Sequence, residues 1–389
     1  MNKKVHFIFF SIKKNIISII FFFFTICLVL FSKQNIIAAK NGLILWTNNV
    51  VPSLFPFFIA TELLSYTNIV TYVQKIFNKI MKPVFNVPGI GAYALTLGII
   101  SGYPIGAKIV TKFREDNLCT KEEAERLITF TNNSGPLFIL GTVGIGLFCN
   151  TCIGFLLLIT HLLSALTVGI IFRFWKCKSN SNTIILNNFS YTQTKSLPNF
   201  SNLGSIISNG ITKATATIVL IGGFVVLFSV IISILNTSKI FTFLTNLLAP
   251  IFSWFGISKE FLTPLFSGVV ELTSGVNLIS QVSSKYLSTN IIMCAFLLGF
   301  GGISILLQVF SIISKSDISI KPYIIGKFLQ GTIAAFYTYI ALNNFKMLDF
   351  NLSMSNTKYI FKNNSFILVI ILLSILLLTI NNFKKVPKN

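Results

Sequence analysis

Charged residues are scarce in this sequence. Asp, Glu, Lys and Arg make up only 11% of its 389 residues, whereas a soluble globular domain has about 25%. Hydrophobic residues make up 53%, and the mean hydropathy is +0.79. The apolar residues gather into runs of roughly 16 to 25, the length of helix that crosses the hydrocarbon core of a bilayer. This composition excludes a soluble enzyme and predicts an integral membrane protein with the lipid bilayer as its partner.

Acidic residues are the scarcest charged group. There are 10 of them against 31 Lys and Arg, which gives a formal net charge of +21. Many of the basic residues flank apolar runs, as the positive-inside pattern and anionic headgroups favour. No basic stripe with interleaved aromatic residues forms a nucleic-acid-binding module. We therefore attribute the positive charge to membrane topology and predict no nucleic-acid partner.

Groups for metal binding or nucleophilic catalysis are also lacking. His6 and His161 are the only histidines, and neither has a partner in the sequence. Cys149 and Cys152 form a C-x-x-C, but no second pair or nearby His completes a metal site. We interpret both cysteines as small buried hydrophobic residues. The sequence predicts no catalytic residue, metal or cofactor, although a coupling proton or cation stays open.

The apolar runs are continuous and do not alternate, which predicts helices and not the strands of a barrel. The expected fold is an all-α polytopic membrane protein. The predicted spans lie near 16–31, 43–66, 152–175, 214–236, 288–313, 323–342 and 365–380. The predicted divisions are 1–40 for an N-terminal signal-anchor span, 41–175 for a first repeat, 176–202 for a polar linker, 203–345 for a second repeat, and 346–389 for a last span and basic tail.

Two apolar segments are too short to span the membrane twice and are broken internally. The first, 89–113, follows an amphipathic helix at 69–85 and is interrupted by Ser101-Gly-Tyr-Pro104. The second is 259–280. Both are predicted to be re-entrant helical hairpins. Non-helical backbone at membrane depth is tolerated only where protein or a water-filled cavity surrounds it, so these breaks are candidate sites.

Landmarks recur along the chain at an offset of 166 or 167 residues. Pro83 is matched by Pro250, Ser101-Gly102 by Ser267-Gly268, and Ser134-Gly135 by Gly301-Gly302. This register predicts an internal repeat. Membrane proteins with broken helices in corresponding positions are usually secondary transporters that bind substrate between the repeats. The alternative is that the glycines and prolines only permit close packing or kinks.

Ionisable residues at membrane depth are functional hypotheses by default. Lys108 follows the first break, where a cation and the free N–H groups of a helix N-terminus would bind a carboxylate or phosphate; the alternative is a lysine that reaches toward the interface. Glu271 is the corresponding charge in the second hairpin, and three roles stay open for it: pairing with Lys108, binding a coupling cation, or taking up a proton. Glu62, in the second predicted span, has the same open roles, and a position near the membrane interface without such a role is the alternative.

A further helix break lies at Asn132-Asn-Ser134, at the end of a helix that the capping box Thr120-Lys-Glu-Glu123 begins. Its amides and hydroxyl suit a polar substrate, and an ordinary helix cap is the alternative. The acidic cluster from Glu115 to Glu125 is interpreted as a solvated helix face without chemistry. The candidate substrate-binding residues are Ser101, Gly102, Tyr103, Pro104, Lys108, Asn132, Asn133, Ser134, Glu271, Ser274 and Asn277.

The sequence resembles the sporulation integral membrane protein YlbJ family of endospore-forming bacteria over about residues 43–342. The blocks that carry the resemblance are 51–58, Ser101–Lys108, Lys121–Leu127, Asn132–Val143 and, more weakly, Gly299–Ile303. The resemblance implies nucleoside recognition (gate) domains, a duplicated hairpin unit related to that of concentrative nucleoside transporters. It also implies a role in the mother cell during spore formation, where the family is linked to movement of dipicolinic acid across the outer forespore membrane.

We therefore expect a membrane transporter of a small organic anion, dipicolinic acid first, in the cell membrane or outer forespore membrane. A planar dianion suits Lys108, two hairpin helix termini and the groups of Asn132 to Ser134. Two alternatives stay open: a nucleoside-type permease, which would have a site lined only by neutral polar groups, and a non-transporting membrane scaffold for spore assembly. Sporulation membrane proteins are expected as further partners.

Overall fold

The computed structural model describes residues 3–176 and 202–344, except 65, 68 and 255. Within these residues all regular structure is helical, which confirms the all-α prediction. Most of the predicted linker and the whole of 345–389, with the last predicted span, lie outside the described residues. The α-helices are α1 (Lys3–Leu30), α2 (Ser32–Leu45), α3 (Val51–Leu64), α4 (Ile69–Phe85), α5 (Gly91–Ser101), α6 (Ile105–Glu115), α7 (Lys121–Thr131), α8 (Thr151–Phe172), α9 (Leu203–Thr237), α10 (Ile240–Trp254), α11 (Leu262–Val270), α12 (Leu272–Ser280), α13 (Leu287–Phe300), α14 (Gly302–Ile313) and α15 (Lys321–Asn344).

Four helical segments among the described residues are long and apolar enough to cross a membrane. They are Ser32–Leu64, Thr151–Phe172, Leu203–Thr237 and Leu287–Ile313. Large apolar side chains on these and neighbouring helices face outward, as helices in contact with lipid require. The polytopic membrane character is therefore confirmed.

The second predicted span begins earlier than expected. It is helical from Ser32, and a π-helical stretch at Trp46–Val50 joins α2 to α3. This stretch ends two residues before Pro52, whose missing N–H favours a local change in helix winding. The helix then continues through Pro56 to Leu64. The prolines thus mark a change of winding inside one long helix.

Both predicted hairpins are present as pairs of short helices that pack against each other. In the first, α5 and α6 are separated by Gly102, Tyr103 and Pro104. Gly102 has φ of 80°, and an added Cβ would lie 2.8 Å from the Gly135 nitrogen, so only glycine fits there. In the second hairpin, α11 and α12 are separated by Glu271, which has extended backbone with φ of −142°.

Two longer helical segments are broken as well. The predicted capping box begins α7: Glu123 N donates to Thr120 Oγ1 at 3.2 Å and Thr120 N donates to Glu123 Oε2 at 2.8 Å. The helix ends before Asn132, and a π-helical stretch at Phe138–Leu147 follows. In the second half, α13 passes into α14 through Gly301 and Gly302, with φ of 85° and 79°.

The same order of elements occurs twice along the chain. A helix with an internal proline is followed by a broken hairpin, a broken helical segment and a long helix, first from α4 to α8 and then from α10 to α15. The helices α4 and α10 continue past Pro83 and Pro250, and α4 has the bounds 69–85 that the sequence predicts. The boundaries proposed for two repeats stay a prediction.

The two halves interlock in the centre of the molecule. Helix α15 packs against α13 of its own half and against α7 and α8 of the first, while α9 packs against α2 and α3. Helix α15 matches the span predicted at 323–342, and its 24 residues would be about 36 Å long. It is less apolar than the four candidate spans, and two of its polar side chains, Lys327 and Gln330, face the protein interior with no exposed surface.

Candidate functional site

A buried cavity lies where the broken segments of the two halves meet. Its volume is about 60 Å³, which holds a few waters and no more. Pockets for organic ligands are usually about 300 to 1,000 Å³, so in this state the site is closed around a small volume. The lining residues are Tyr103, Ser134 and Gly135 from the first half, Glu271, Leu272, Thr273, Ser304, Ile305 and Gln308 from the second, and apolar Val50, Leu54, Phe138, Ile221 and Val225.

Tyr103 connects the first hairpin break to the second half. Its hydroxyl donates to the carbonyl oxygen of Leu298, in the last turn of α13, at 3.1 Å. An added Cβ on Gly301 would lie 3.3 Å from the same hydroxyl, so the two breaks are in close contact. Ser101 at the end of α5 is hydrogen-bonded to the hydroxyl of Thr61 on α3. The predicted Ser101–Pro104 segment is therefore central, with Tyr103 as its cavity residue.

The Asn132–Ser134 break is fully buried and bonded to three other helices. Asn132 Nδ2 donates to the Tyr323 hydroxyl at 2.7 Å, and its Oδ1 accepts weakly from Ala107 N at 3.4 Å. Asn133 Oδ1 accepts from Gln330 Nε2 at 2.9 Å. The Ser134 N–H donates to His161 Nε2 at 3.2 Å. These groups thus do more than cap α7, because they join it to α6, α8 and α15.

Lys327 is the most notable site residue that the sequence reasoning missed. It has no exposed surface, and its Nζ donates to the Asn132 carbonyl at 3.1 Å and to Gln330 Oε1 at 2.6 Å. Its Nζ also lies 5.0 Å from the centroid of the Tyr103 ring. The available signal was a lysine inside a predicted span, which by itself marks a functional hypothesis.

Glu271 caps the second hairpin's C-terminal arm. It is buried, and its carboxylate accepts from the backbone N–H groups of Thr273 at 3.0 Å and Ser274 at 2.7 Å. These are the donors that an anion at the N-terminus of α12 would use, so in this state Glu271 occupies that position itself. It lines the cavity, which leaves the cation and proton roles open as predictions.

Lys108 pairs with Glu62 and not with Glu271. The distance from Lys108 Nζ to Glu62 Oε1 is 2.9 Å, and the lysine side chain is 41% exposed. Glu62 also lies 3.9 Å from Lys213 Nζ on α9. The pairing of Lys108 with Glu271 is therefore wrong, and Lys108 does not line the central cavity.

Ser274 and Asn277 face a different space. They line an open cleft of about 440 Å³ between α2, α9 and α12. Its polar lining is neutral, from side chains such as Gln34, Asn41 and Ser233. The structure therefore separates these two residues from Tyr103 and Ser134, although α12 borders both spaces.

The interpretation of the acidic cluster is wrong for Glu125. Its side chain is fully buried and accepts from Trp175 Nε1 at 2.8 Å, Lys176 Nζ at 2.9 Å and Ser319 N at 3.3 Å. Helical periodicity turns this position inward, unlike the rest of the cluster. Glu125 thus fixes α7 against the end of α8 and the beginning of α15.

The C-x-x-C interpretation also needs correction. Cys149 is exposed, has φ of 49°, and lies in the turn before α8, while Cys152 is half-buried. Neither is a buried hydrophobic residue of the core. Within the part of the chain that the structure describes, no cluster of three His, Cys, Asp or Glu is placed to hold a metal.

An ion pair at the surface joins the first hairpin to the loop after α14. Arg114 donates to Asp317 through two parallel bonds of 2.9 Å, from Nε to Oδ1 and from Nη2 to Oδ2. The hydrogen bonds from Arg114 lower the pKa of Asp317 below its ordinary value. Such a two-pronged pair fixes geometry as well as charge.

The fold and the site define a helical membrane protein in which broken helices from two halves meet around a small cavity, mainly apolar with a few polar side chains. The chain belongs to the nucleoside recognition (Gate) family, which matches it over residues 48–166 and 218–316. It is similar to the sporulation integral membrane protein YlbJ of Bacillus subtilis (strain 168), with 35% identity over 331 residues, covering 83% of this chain and 81% of the relative. No solved structure matches the chain. The resemblance found in the sequence is confirmed.

Proposed function

We propose that this protein transports a small organic anion, dipicolinic acid first, across the outer forespore membrane during sporulation. The observation that carries the proposal is the convergence of two broken helical regions on one buried cavity, with Tyr103 and Ser134 from one half and Glu271 from the other. Broken helices in corresponding positions are the usual substrate site of secondary transporters. The similarity to a sporulation membrane protein supports the cellular setting.

The proposal requires the two halves to move. A cavity of about 60 Å³ is too small for a pyridine dicarboxylate, so substrate entry would separate the first hairpin from α13 and α14. The Tyr103 bond to the Leu298 carbonyl is one contact that would break. Alternating access then corresponds to opening this contact on one side of the membrane at a time.

A nucleoside-type permease is the second candidate, and one observation favours it. The polar side chains that line the cavity are neutral apart from Glu271, and no lysine or arginine is among them. Neutral hydroxyl and amide groups suit a nucleoside, and the family description names nucleoside recognition. A non-transporting scaffold for spore assembly is the third candidate and predicts no solute flux.

The test is uptake of labelled dipicolinate and labelled uridine into liposomes that contain the purified protein. Saturable dipicolinate flux supports the first candidate, and uridine flux alone supports the second. Absence of both, from protein shown to be folded, supports the scaffold. Gln308→Leu, which removes a cavity amide, serves as the site variant, and Lys108→Gln serves as the control outside the cavity.

A further inference from the structure

We propose that Lys327 is the residue that makes the central cavity selective for anions, acting through the ring of Tyr103. This inference rests on the proposed transport of a small anion and assigns its charge selectivity to one buried group. Lys327 does not itself line the cavity. It is therefore a positioning residue, which acts on a ligand in the cavity through its charge and not by direct contact.

The surroundings of the Lys327 ammonium differ from those of the cations that form ion pairs. Lys108, Arg114, Lys176 and Lys213 each lie within 4.0 Å of a carboxylate. Lys327 instead meets the Asn132 carbonyl, the Gln330 amide oxygen and the face of an aromatic ring. Among the described residues, no carboxylate forms an ion pair with it, so its positive charge is not directly paired.

Burial of a charge without a counter-charge is costly in protein and in membrane. The neutral oxygens and the π face stabilise an ammonium but do not cancel its field. An anion that enters the neighbouring cavity would supply the missing counter-charge. This is the physical reason for connecting Lys327 with an anionic ligand.

The path from Lys327 to the cavity passes through one side chain. The Nζ atom is 5.0 Å from the centroid of the Tyr103 ring, and Tyr103 forms part of the cavity wall. An anion on the other side of the ring would be about 8 Å from the ammonium, close enough for a substantial attraction at low effective dielectric constant. When the cavity opens, movement of Tyr103 would bring the anion closer to the Lys327 ammonium.

Glu271, across the cavity, repels an anion less strongly than its full charge would suggest. Its carboxylate accepts two backbone N–H groups at the N-terminus of α12, whose partial positive charge offsets it. The Lys327 ammonium is offset in part as well, because it donates to the Asn132 carbonyl at the C-terminal end of α7 and to Gln330 Oε1. Both groups keep a net charge, so Lys327 adds a positive contribution to the field in the cavity that the lining residues alone do not reveal.

The test compares two planar solutes of similar shape in the same liposomes: dipicolinate and the uncharged 2,6-pyridinedimethanol. Lys327→Gln keeps polar atoms but removes the charge, and the ratio of anion flux to neutral flux should fall about tenfold or more, given a unit charge at about 8 Å and an effective dielectric constant of about 20. Lys327→Arg should keep the ratio within about threefold of the wild type. A merely structural role would lower both fluxes equally and leave the ratio unchanged.

Gln330→Glu is the second variant, for the case in which Lys327→Gln does not fold. It keeps the lysine and places a carboxylate where an amide oxygen now lies 2.6 Å from Nζ. The ion pair neutralises the site, so the flux ratio should fall in the same direction. Lys108→Gln, which removes a lysine outside the cavity, is the matched control and should leave the ratio unchanged.

The outcomes separate this inference from the proposed function. If wild-type protein carries no dipicolinate, the proposed transport is wrong, and this inference is wrong with it. If wild-type protein carries dipicolinate and the flux ratio is unchanged in folded Lys327→Gln or Gln330→Glu protein, the transport stands and the assignment of selectivity to Lys327 is overturned.

Discussion

Substitution of Gly98 by alanine tests how closely the first hairpin is held against the end of α7. An added Cβ at Gly98 would lie 1.8 Å from the Thr131 carbonyl oxygen and 3.2 Å from the Gly106 Cα. Both atoms belong to the backbone, one in α7 and one in this hairpin, so no side chain can rotate away. The two segments would have to separate by more than an ångström next to the Asn132–Ser134 break.

The expected cost follows from the packing. Overfilling a close-packed interior costs about 1 to 3 kcal/mol and sometimes more, and a backbone clash of this size belongs at the upper end. We expect Gly98→Ala to lower the melting temperature in detergent by roughly 5 °C or more. Flux through liposomes should fall with it, because the displaced break forms part of the cavity wall.

The matched control is Gly223→Ala, in the helix α9. A Cβ there has nothing within 4 Å, and alanine is the better helix former by about 1 kcal/mol. Its melting temperature should equal or exceed that of the wild type, with unfolding of all three proteins in detergent followed by the fluorescence of a dye that reacts with newly exposed thiols. If Gly98→Ala melts within one or two degrees of Gly223→Ala, the close backbone contact described here is wrong.

Two further predictions concern charged residues. Glu125→Ala should destabilise the protein by about 2 kcal/mol, since it leaves N–H donors inside the protein without an acceptor. The control Glu122→Ala should change the stability by no more than about 0.5 kcal/mol. Equal melting temperatures for these two variants would contradict the hydrogen bonds described for Glu125. Because Arg114 lowers the pKa of Asp317 in the folded state, the pair's small stabilisation should be present above the carboxyl's ordinary pKa of about 3.9 and be lost as pH falls below it. The melting temperatures of the wild type and Asp317→Asn should therefore differ at neutral pH and become equal only in acid. Asp116→Asn is the control, and its difference from the wild type should not disappear in acid in this way.

Breaks in helices were the best predicted feature of this fold. Glycine, proline and capping residues act locally, so their positions are legible in the sequence. The hairpin break at Ser101–Pro104, the end of α7 at Asn132 and the capping box at Thr120 all occur where the pattern placed them. The break at Gly301 was not predicted, because the span at 288–313 was expected to be continuous, although the repeat register had matched Gly301 to Ser134.

Charge partners were predicted less well. The sequence left both Glu271 and Glu62 open as partners of Lys108, and the structure pairs Lys108 with Glu62, 46 residues away. The contact of Glu125 with Ser319, 194 residues away, was not predicted. These contacts depend on how helices pack, which a periodic pattern does not specify. Lys327 was missed because it lies within a mainly apolar run, and the sequence pattern does not show that its side chain is buried beside Asn132.

The distances along the chain between bonded groups also have a consequence for biosynthesis. Asn132 is bonded to Tyr323 and Lys327, which are 191 and 195 residues later in the chain. At about 5 to 20 residues per second, the ribosome would deliver them about 10 to 40 seconds after Asn132. During that interval the first half enters the bilayer with the polar groups of its break still without these partners. Insertion of this protein thus requires the translocon, lipid headgroups or water to accommodate a half-built site until α15 arrives.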